Sequence, residues 1–161
     1  MTVTSEPANQ PRAGRERMRR IRRGETTSFE IGGAEFYLTA NPYEDGRLGE
    51  IFAKFGKEGS TIAGLMDAIS ILVSLAVQHG VPLETIIGKL TNTRYEPMGM
   101  TDDPDIPEAS SVMDYVCRRL ALDFLPPDKR AQLGVFSADE EARALISGES
   151  LPAAPQPAWR Q

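Results

Sequence analysis

Residues 37–82 read YLTANPYEDGRLGEIFAKFGKEGSTIAGLMDAISILVSLAVQHGVP. Apolar and polar side chains alternate over residues 34–40 and again over residues 48–55, which predicts two β-strands on either side of the turn NPYEDG. From residue 61 the apolar positions recur at helical spacing, which predicts a long helix at the centre of the core. Its predicted core positions are Ile62, Leu65, Met66, Ile69, Leu72, Val73, Ala76 and Val77.

The segments on either side of this stretch complete the predicted fold. Residues 28–31 alternate in polarity and lead into Gly32-Gly33, which predicts a first strand and a hairpin turn. Further helices are expected at residues 83–90, after Ser110 or Ser111, and after Ser137. We therefore predict an α+β fold: a three-stranded antiparallel sheet packed on a long central helix that covers one of its faces, with two to three further helices.

Charge divides the chain into segments. Residues 1–23 contain seven arginines and two glutamates, a net charge of +5, so the other residues carry −10 of the total of −5. We predict a disordered basic arm over 1–24, one α+β domain over 25–126, and a short helix with a flexible proline-rich tail over 127–161. Because the body is acidic, nucleic acid is an unlikely partner, and only the arm could bind it.

The sequence also predicts where the protein works. The longest apolar run, Ile69–Val77, contains two serines and is shorter than the roughly 20 residues that cross a bilayer, so we expect no membrane span. No apolar segment follows the N-terminal arginines, which argues against a secretory signal. A single cysteine excludes an internal disulfide, and we expect a cytoplasmic location.

Few residues could carry chemistry. A zinc site needs about four Cys or His ligands, and the chain has only Cys117 and His79, so no metal site is predicted. Cys117 falls in a predicted helix, next to Val116, and is expected to be a packed thiol; a reactive thiol beside Arg118 and Arg119 is the less favoured alternative. His79 falls at the end of the long helix, where the helix dipole favours an imidazole, and a structural role is favoured over catalysis.

The turn before the long helix is a candidate anion site. Its candidate residues are Gly56, Lys57, Gly59, Ser60 and Thr61. Glycines ahead of a helix N-terminus expose backbone N–H groups, and a lysine with two hydroxyls could complete a phosphate cradle. The spacing is not that of a Walker motif. A strand-to-helix corner with Ser60 as its cap is the favoured alternative.

A second candidate, for contact with a partner protein, consists of Arg94, Tyr95 and Glu96. These residues open an irregular, proline-rich connector that extends to residue 107, and Arg and Tyr are common anchors of interfaces. In the alternative, Arg94 pairs with Asp102, Asp103 or Asp105 and only fixes the connector. The sequence does not separate the two.

Several motifs resemble a known family when they are taken in order. They are YEDG, GEIF, KEGST, GLMDA, HGVPL, RYEP and MDY. In this combination, between about Arg19 and Leu145, the chain resembles the C-terminal, TSCPD-type domain of class II, adenosylcobalamin-dependent ribonucleotide reductases. The RYEP block holds the partner-contact candidate, and the KEGST block holds the anion candidate, for which the family suggests no catalytic role.

The resemblance implies a function that depends on another polypeptide. The chain is too short for the catalytic barrel of such a reductase, and residues 151–161 lack the cysteine pair that ends longer members. We expect a separately encoded C-terminal module that supports the reduction of ribonucleotides to deoxyribonucleotides by assembly or positioning and is not catalytic alone. Its implied partner is the barrel polypeptide. The implied cofactor, adenosylcobalamin, would be bound mainly by that partner, and this chain alone would require none.

Two other functions are compatible with the sequence. One is a free-standing interaction or regulatory domain with the same fold; the other, less favoured, is a nucleic-acid-binding protein that uses the basic arm. Self-association into a homo-oligomer is left open by the sequence.

Overall fold

A computed structural model describes residues 14–153 of the chain. The strands are β1 (Glu25–Ile31), β2 (Ala34–Pro42), β3 (Leu48–Phe55), β4 (Gly99–Met100) and β5 (Glu108–Ala109). The helices are α1 (Thr61–Gln78), α2 (Leu83–Leu90), α3 (Val112–Phe124), α4 (Pro127–Leu133) and α5 (Ala138–Ser147). The predicted α+β class is confirmed: β1, β2 and β3 form an antiparallel sheet in that order, packed on the long helix α1. Helix α4 was not predicted.

The β1–β2 hairpin turns at the predicted glycine pair. Gly32 and Gly33 have φ angles of +55° and +84°, which side chains with a Cβ rarely adopt. The register pairs Phe29 with Phe36, and their rings stack at 5.4 Å. From α3, the Tyr115 ring stacks on Phe29 at 3.9 Å, so α3 covers the β1 side of the inner sheet face.

Helix α1 lies along the outer edge of β3 and satisfies its backbone. The Ser70 hydroxyl accepts a hydrogen bond from the Ala53 N–H at 2.9 Å. The Ser74 hydroxyl accepts from the Ile51 N–H at 3.0 Å and donates to the Ile51 carbonyl at 3.2 Å. One turn further on, the Gln78 amide donates to the Gly49 carbonyl at 2.8 Å. Three side chains spaced four residues apart thus replace a neighbouring strand.

This arrangement corrects part of the predicted core. Met66 and Val73 are buried as expected, but Leu65 and Leu72, both assigned to the core, are 59% and 66% exposed. The helix is apolar nearly all the way round, so apolar spacing alone does not define which face points inward. The edge of β3 determines which face of α1 points inward, because its free N–H and C=O groups need hydrogen-bond partners and the polar side chains of α1 supply them.

The described part of the N-terminal arm, residues 14–24, has neither helix nor strand but lies against the body. Arg22 donates to both carboxylate oxygens of Glu50, which is only 6% exposed, at 2.8 and 2.9 Å. The backbone N–H of Glu16 donates to the Gln78 carbonyl at 2.8 Å. A Cβ added at Gly49 would lie 2.1 Å from the Met18 sulfur, so the arm covers this glycine closely. Residues 1–13 of the predicted arm lie outside the described residues.

The C-terminal helix is fixed by an ion pair and a capping box. Ser137 caps α5, its hydroxyl accepting from the Glu140 N–H, while the Glu140 carboxylate accepts from the Ser137 N–H. The same carboxylate accepts two hydrogen bonds from the nearly buried Arg130 at 2.7 and 2.9 Å. The predicted tail falls mostly at residues 154–161, outside the described residues.

One helix within residues 14–153, α1, is long and apolar enough to cross a membrane by length and composition alone. Its Ser70, Ser74 and Gln78 side chains are bonded to β3 instead.

Ser70→Ala should destabilise the protein. The change leaves the buried Ala53 N–H without a partner, and we expect the free energy of unfolding to fall by about 1–3 kcal/mol. Urea denaturation followed by circular dichroism measures it. Ser28→Ala, on the exposed sheet face, is the matched control and should change stability by less than about 0.5 kcal/mol. Equal effects of the two substitutions would contradict the edge assignment.

Acid should weaken the Glu140–Arg130 pair. The hydrogen bonds from Arg130 lower the pKa of Glu140 from 4.5 to about 2, so its stabilising effect is complete above pH 4.5 and lost as the pH falls towards 2. We expect Glu140→Gln to reduce stability at pH 7 and to flatten its decline below pH 4.5. Denaturation at a series of pH values measures this. Glu141→Gln, one residue along α5, should retain the wild-type slope; a wild-type slope in Glu140→Gln would be the contrary result.

Candidate functional site

The two side chains most suited to catalysis are held in structural positions. Cys117 is 1% exposed, and burial, followed by the nearby Asp114 charge, raises the pKa of its thiol to about 12. The Nδ1 atom of His79 lies 2.9 Å from the Leu75 carbonyl at the end of α1. Across residues 14–153 no group of three or more His, Cys, Asp or Glu side chains could hold a metal ion. Catalysis by the Cys117 thiol would require a different environment, and the position of His79 agrees with the structural role that is expected of it.

The candidate anion site has the geometry of a helix cap. The Ser60 hydroxyl accepts from the Ala63 N–H at 3.1 Å and donates to the Lys57 carbonyl at 3.0 Å. Gly59 takes a φ of +74°, and the Gly56 N–H donates to the Glu35 carbonyl at the end of the hairpin. The turn therefore works as a strand-to-helix corner. Lys57 and Thr61 are exposed beside it, and anion binding there stays a prediction.

Asp114 organises the connector from within α3. This carboxylate, 2% exposed, accepts from the backbone N–H of Asn92 at 2.7 Å, from that of Ser110 at 3.0 Å, and from the Arg118 guanidinium at 3.0 Å. Arg118 also donates to the Asn92 side chain at 2.7 Å. The network joins both ends of the connector to the first turn of α3. Sequence analysis missed it, although Asp and Arg four residues apart on a helix are a recognisable pair.

The acidic part of the connector is fixed by Arg119. This guanidinium donates to Asp103 at 3.1 Å and to Asp123 at 2.8 Å. Asp103 also accepts from the Tyr115 hydroxyl at 2.6 Å. Burial would raise the pKa of Asp103, but the hydrogen bonds from Tyr115 and Arg119 outweigh it and lower the pKa. Arg119 also pairs with Asp105, and the Glu30 N–H donates to Asp102, so no ion pair among residues 14–153 supports the alternative in which Arg94 ties down these aspartates.

One residue of the partner-contact candidate, Arg94, lies beside an open cavity at the start of the connector. Tyr95 is attached to α3, because its hydroxyl accepts from the Met113 N–H at 3.2 Å and its own N–H donates to the Ser110 carbonyl. Arg94 and Glu96 are exposed, and no hydrogen bond or ion pair joins the Arg94 side chain to any other of residues 14–153. Arg94 lines a cavity of about 380 Å³ together with Arg118, Phe136 and Glu141. An unpaired cation beside a cavity is suited to an acidic group of a partner.

Two features of the described residues bear on the cobalamin that the resemblance implies. The chain's one imidazole, His79, is exposed at a helix end and lines none of the four cavities that we describe. The largest of these cavities, of about 1060 Å³, is an open surface between the arginines of the arm and the β2–β3 turn. Neither place offers the enclosed walls of a cofactor site.

Comparison with known proteins identifies the class of this fold. The TSCPD domain family matches residues 9–124, and the chain belongs to that family. The resemblance predicted from the sequence is thereby confirmed. No solved structure matches the chain significantly.

Three relatives carry the same name, vitamin B12-dependent ribonucleotide reductase. The protein from Streptantibioticus cattleyicolor is 57% identical over 139 residues, which cover 86% of this chain and 23% of that protein. The protein from Streptomyces coelicolor is 55% identical over 92% of this chain and 15% of its own length. The protein from Rhodopirellula baltica is 43% identical over 88% of this chain and 13% of its own length. This chain thus spans less than a quarter of each of these relatives.

The buried position of Cys117 predicts a thiol that is inert in the folded protein. Iodoacetamide at pH 8 should leave the native chain unmodified, because a thiol with a pKa of about 12 is almost fully protonated and shielded. Mass spectrometry after timed quenching measures the extent of alkylation. The same chain in urea is the control and should be modified completely. Rapid alkylation of the native chain would reveal a reactive cysteine.

Proposed function

We propose that this chain acts as a C-terminal module of a vitamin B12-dependent ribonucleotide reductase. It docks against the catalytic part of that enzyme in the cytoplasm and helps to assemble or position it. In this way it supports the conversion of ribonucleotides to deoxyribonucleotides for DNA synthesis. The catalytic part supplies the radical chemistry and binds adenosylcobalamin, and this chain supplies a contact surface.

One observation supports the proposal most strongly: nearly the whole chain aligns, at 43–57% identity, with a small part of much longer reductases. A segment that is so similar is expected to keep its structural role next to the rest of the enzyme. The positions of Cys117 and His79 agree with a role in assembly, because one is buried and the other is bonded at a helix end.

The connector supplies the proposed contact. Arg94 is exposed and unpaired among the described residues, while Tyr95 next to it is 40% exposed and held from both sides by α3 and Ser110. A rigid tyrosine and a free guanidinium are a combination found at the energetic centres of interfaces. The Asp114 network and Arg119 hold the connector in place, so little conformational entropy is lost when a partner binds.

A binding experiment tests the proposal. A B12-dependent reductase that lacks its own TSCPD region is mixed with this chain, and calorimetry and ribonucleotide reduction are measured. We expect binding, and higher activity than that of the truncated enzyme alone. Arg94→Ala should weaken binding about tenfold, the effect of losing roughly 1.4 kcal/mol at an interface anchor.

Arg143→Ala is the control for charge, because it removes an exposed arginine from α5 outside the connector and should bind as the wild type does. Absence of binding by the wild-type chain would overturn the proposed function. Equal weakening by both substitutions would overturn the role of Arg94.

A further inference from the structure

The face of α1 that points away from β3 is apolar and, apart from the half-buried Leu75, exposed. We call it the α1 outer face, and it consists of Gly64, Leu65, Ala68, Ile71, Leu72 and Leu75. Leu65, Ile71 and Leu72 are 59%, 60% and 66% exposed. Adjacent large apolar side chains with this much exposure mark a contact surface, whereas scattered ones do not. The polar face of the same helix forms hydrogen bonds with the β3 edge, so a rotation of α1 that buried these residues would break those bonds.

The spacing on the α1 outer face is that of a helix–helix seam. Gly64, Ala68, Ile71 and Leu75 follow one another at intervals of four, three and four residues, which is the a/d pattern of paired helices. Two members are small and two are large. A Cβ placed on Gly64 would meet nothing within 4 Å, so this end of the seam is an open recess. Such a surface fits another helix that presents large residues where this one has small ones.

The α1 outer face is complementary to itself in one orientation. In an antiparallel pair centred between residues 69 and 70, Gly64 of one copy lies opposite Leu75 of the other, and Ala68 lies opposite Ile71. Small residues then meet large ones along the whole seam. Leu65 and Leu72 lie on one flank, and the same two-fold symmetry brings Leu65 of each copy close to Leu72 of the other.

A parallel pair lacks this match. It would set Gly64 against Gly64 and Ile71 against Ile71, and it would turn Leu65 and Leu72 towards the opposite flank. That flank carries Asp67, the one charged residue between 61 and 78, which forms an ion pair with Lys54 of its own chain. An antiparallel pair leaves both copies of this ion pair at the solvent margin.

We infer that a second copy of this chain docks on the α1 outer face, with the two α1 helices antiparallel. An 18-residue helix is about 27 Å long, and we expect a single pair of such helices to form an interface at the low end of the size range, roughly 1,200 Å², of specific complexes. The dimer therefore depends on concentration, with a dissociation constant on the order of micromolar. The inference is independent of the proposed function, because it concerns the chain alone.

Sedimentation equilibrium of the full chain, from about 1 to 500 μM, tests the inference, since this range brackets a micromolar dissociation constant. We expect a monomer at the low end and a dimer at the high end. The double variant Leu65→Glu/Leu72→Glu should raise the dissociation constant at least tenfold, because it places a negative charge of one copy close to a negative charge of the other. Leu145→Glu, at an 83% exposed position of α5, is the matched control and should dimerise as the wild type does. A wild-type chain that stays monomeric, or a double variant that dimerises normally, would overturn the inference.

Disulfide trapping tests the register. Cys117 is buried, so a cysteine introduced at Ala68 or Ile71 is the reactive one. We expect a mixture of Ala68→Cys and Ile71→Cys chains, one of them carrying a size tag, to form the mixed disulfide in preference to either symmetric one. Predominant symmetric disulfides would contradict the antiparallel pair. Sedimentation of a monomeric chain with phosphatidylcholine vesicles would instead assign the face to a lipid surface and overturn the inference.

Discussion

The free edge of β3 is the constraint on which the rest of this fold depends. An edge strand exposes backbone N–H and C=O groups that need partners, and here they are satisfied by Ser70, Ser74 and Gln78 of a helix. Two residues of a strand rise about 6.6 Å, and four residues of a helix rise about 6 Å, so side chains at i, i+4 and i+8 reach alternate strand residues. The match fixes the rotation of α1, and that rotation determines which apolar residues enter the core.

The closed edge also restricts how the chain can meet other proteins. A partner strand cannot add to β3 at the residues that α1 occupies, so binding there by strand addition is excluded. Two other surfaces remain suited to contact: the connector, where Arg94 has no ion-pair partner within residues 14–153, and the α1 outer face. They differ in chemistry, since the first offers a cation beside a cavity and the second offers an apolar helix, so they can serve different partners.

The sequence predicted the elements better than their contacts. Alternation and helical spacing located the three strands, α1 and α3, and the resemblance to the reductase domain was correct. The inward face of α1 was assigned correctly at Met66 and Val73 but wrongly at Leu65 and Leu72. Apolar spacing treats Ser70 and Ser74 as interruptions, whereas their hydroxyls are needed at β3. The Asp114 network and the burial of Glu50 under Arg22 join residues more than twenty positions apart, and no local pattern encodes such pairs. Arg119, rather than Arg94, binds Asp103 from 16 positions away, which a local pattern does not encode either.

The most direct measurement of this account is amide hydrogen exchange at Ile51 and Ala53 in the native chain. If α1 side chains close the edge, these two N–H groups open only when the whole domain unfolds, and their protection corresponds to the global free energy of unfolding. Exchange at both positions that is much faster than global unfolding allows would show that the edge of β3 is open, and it would contradict the account.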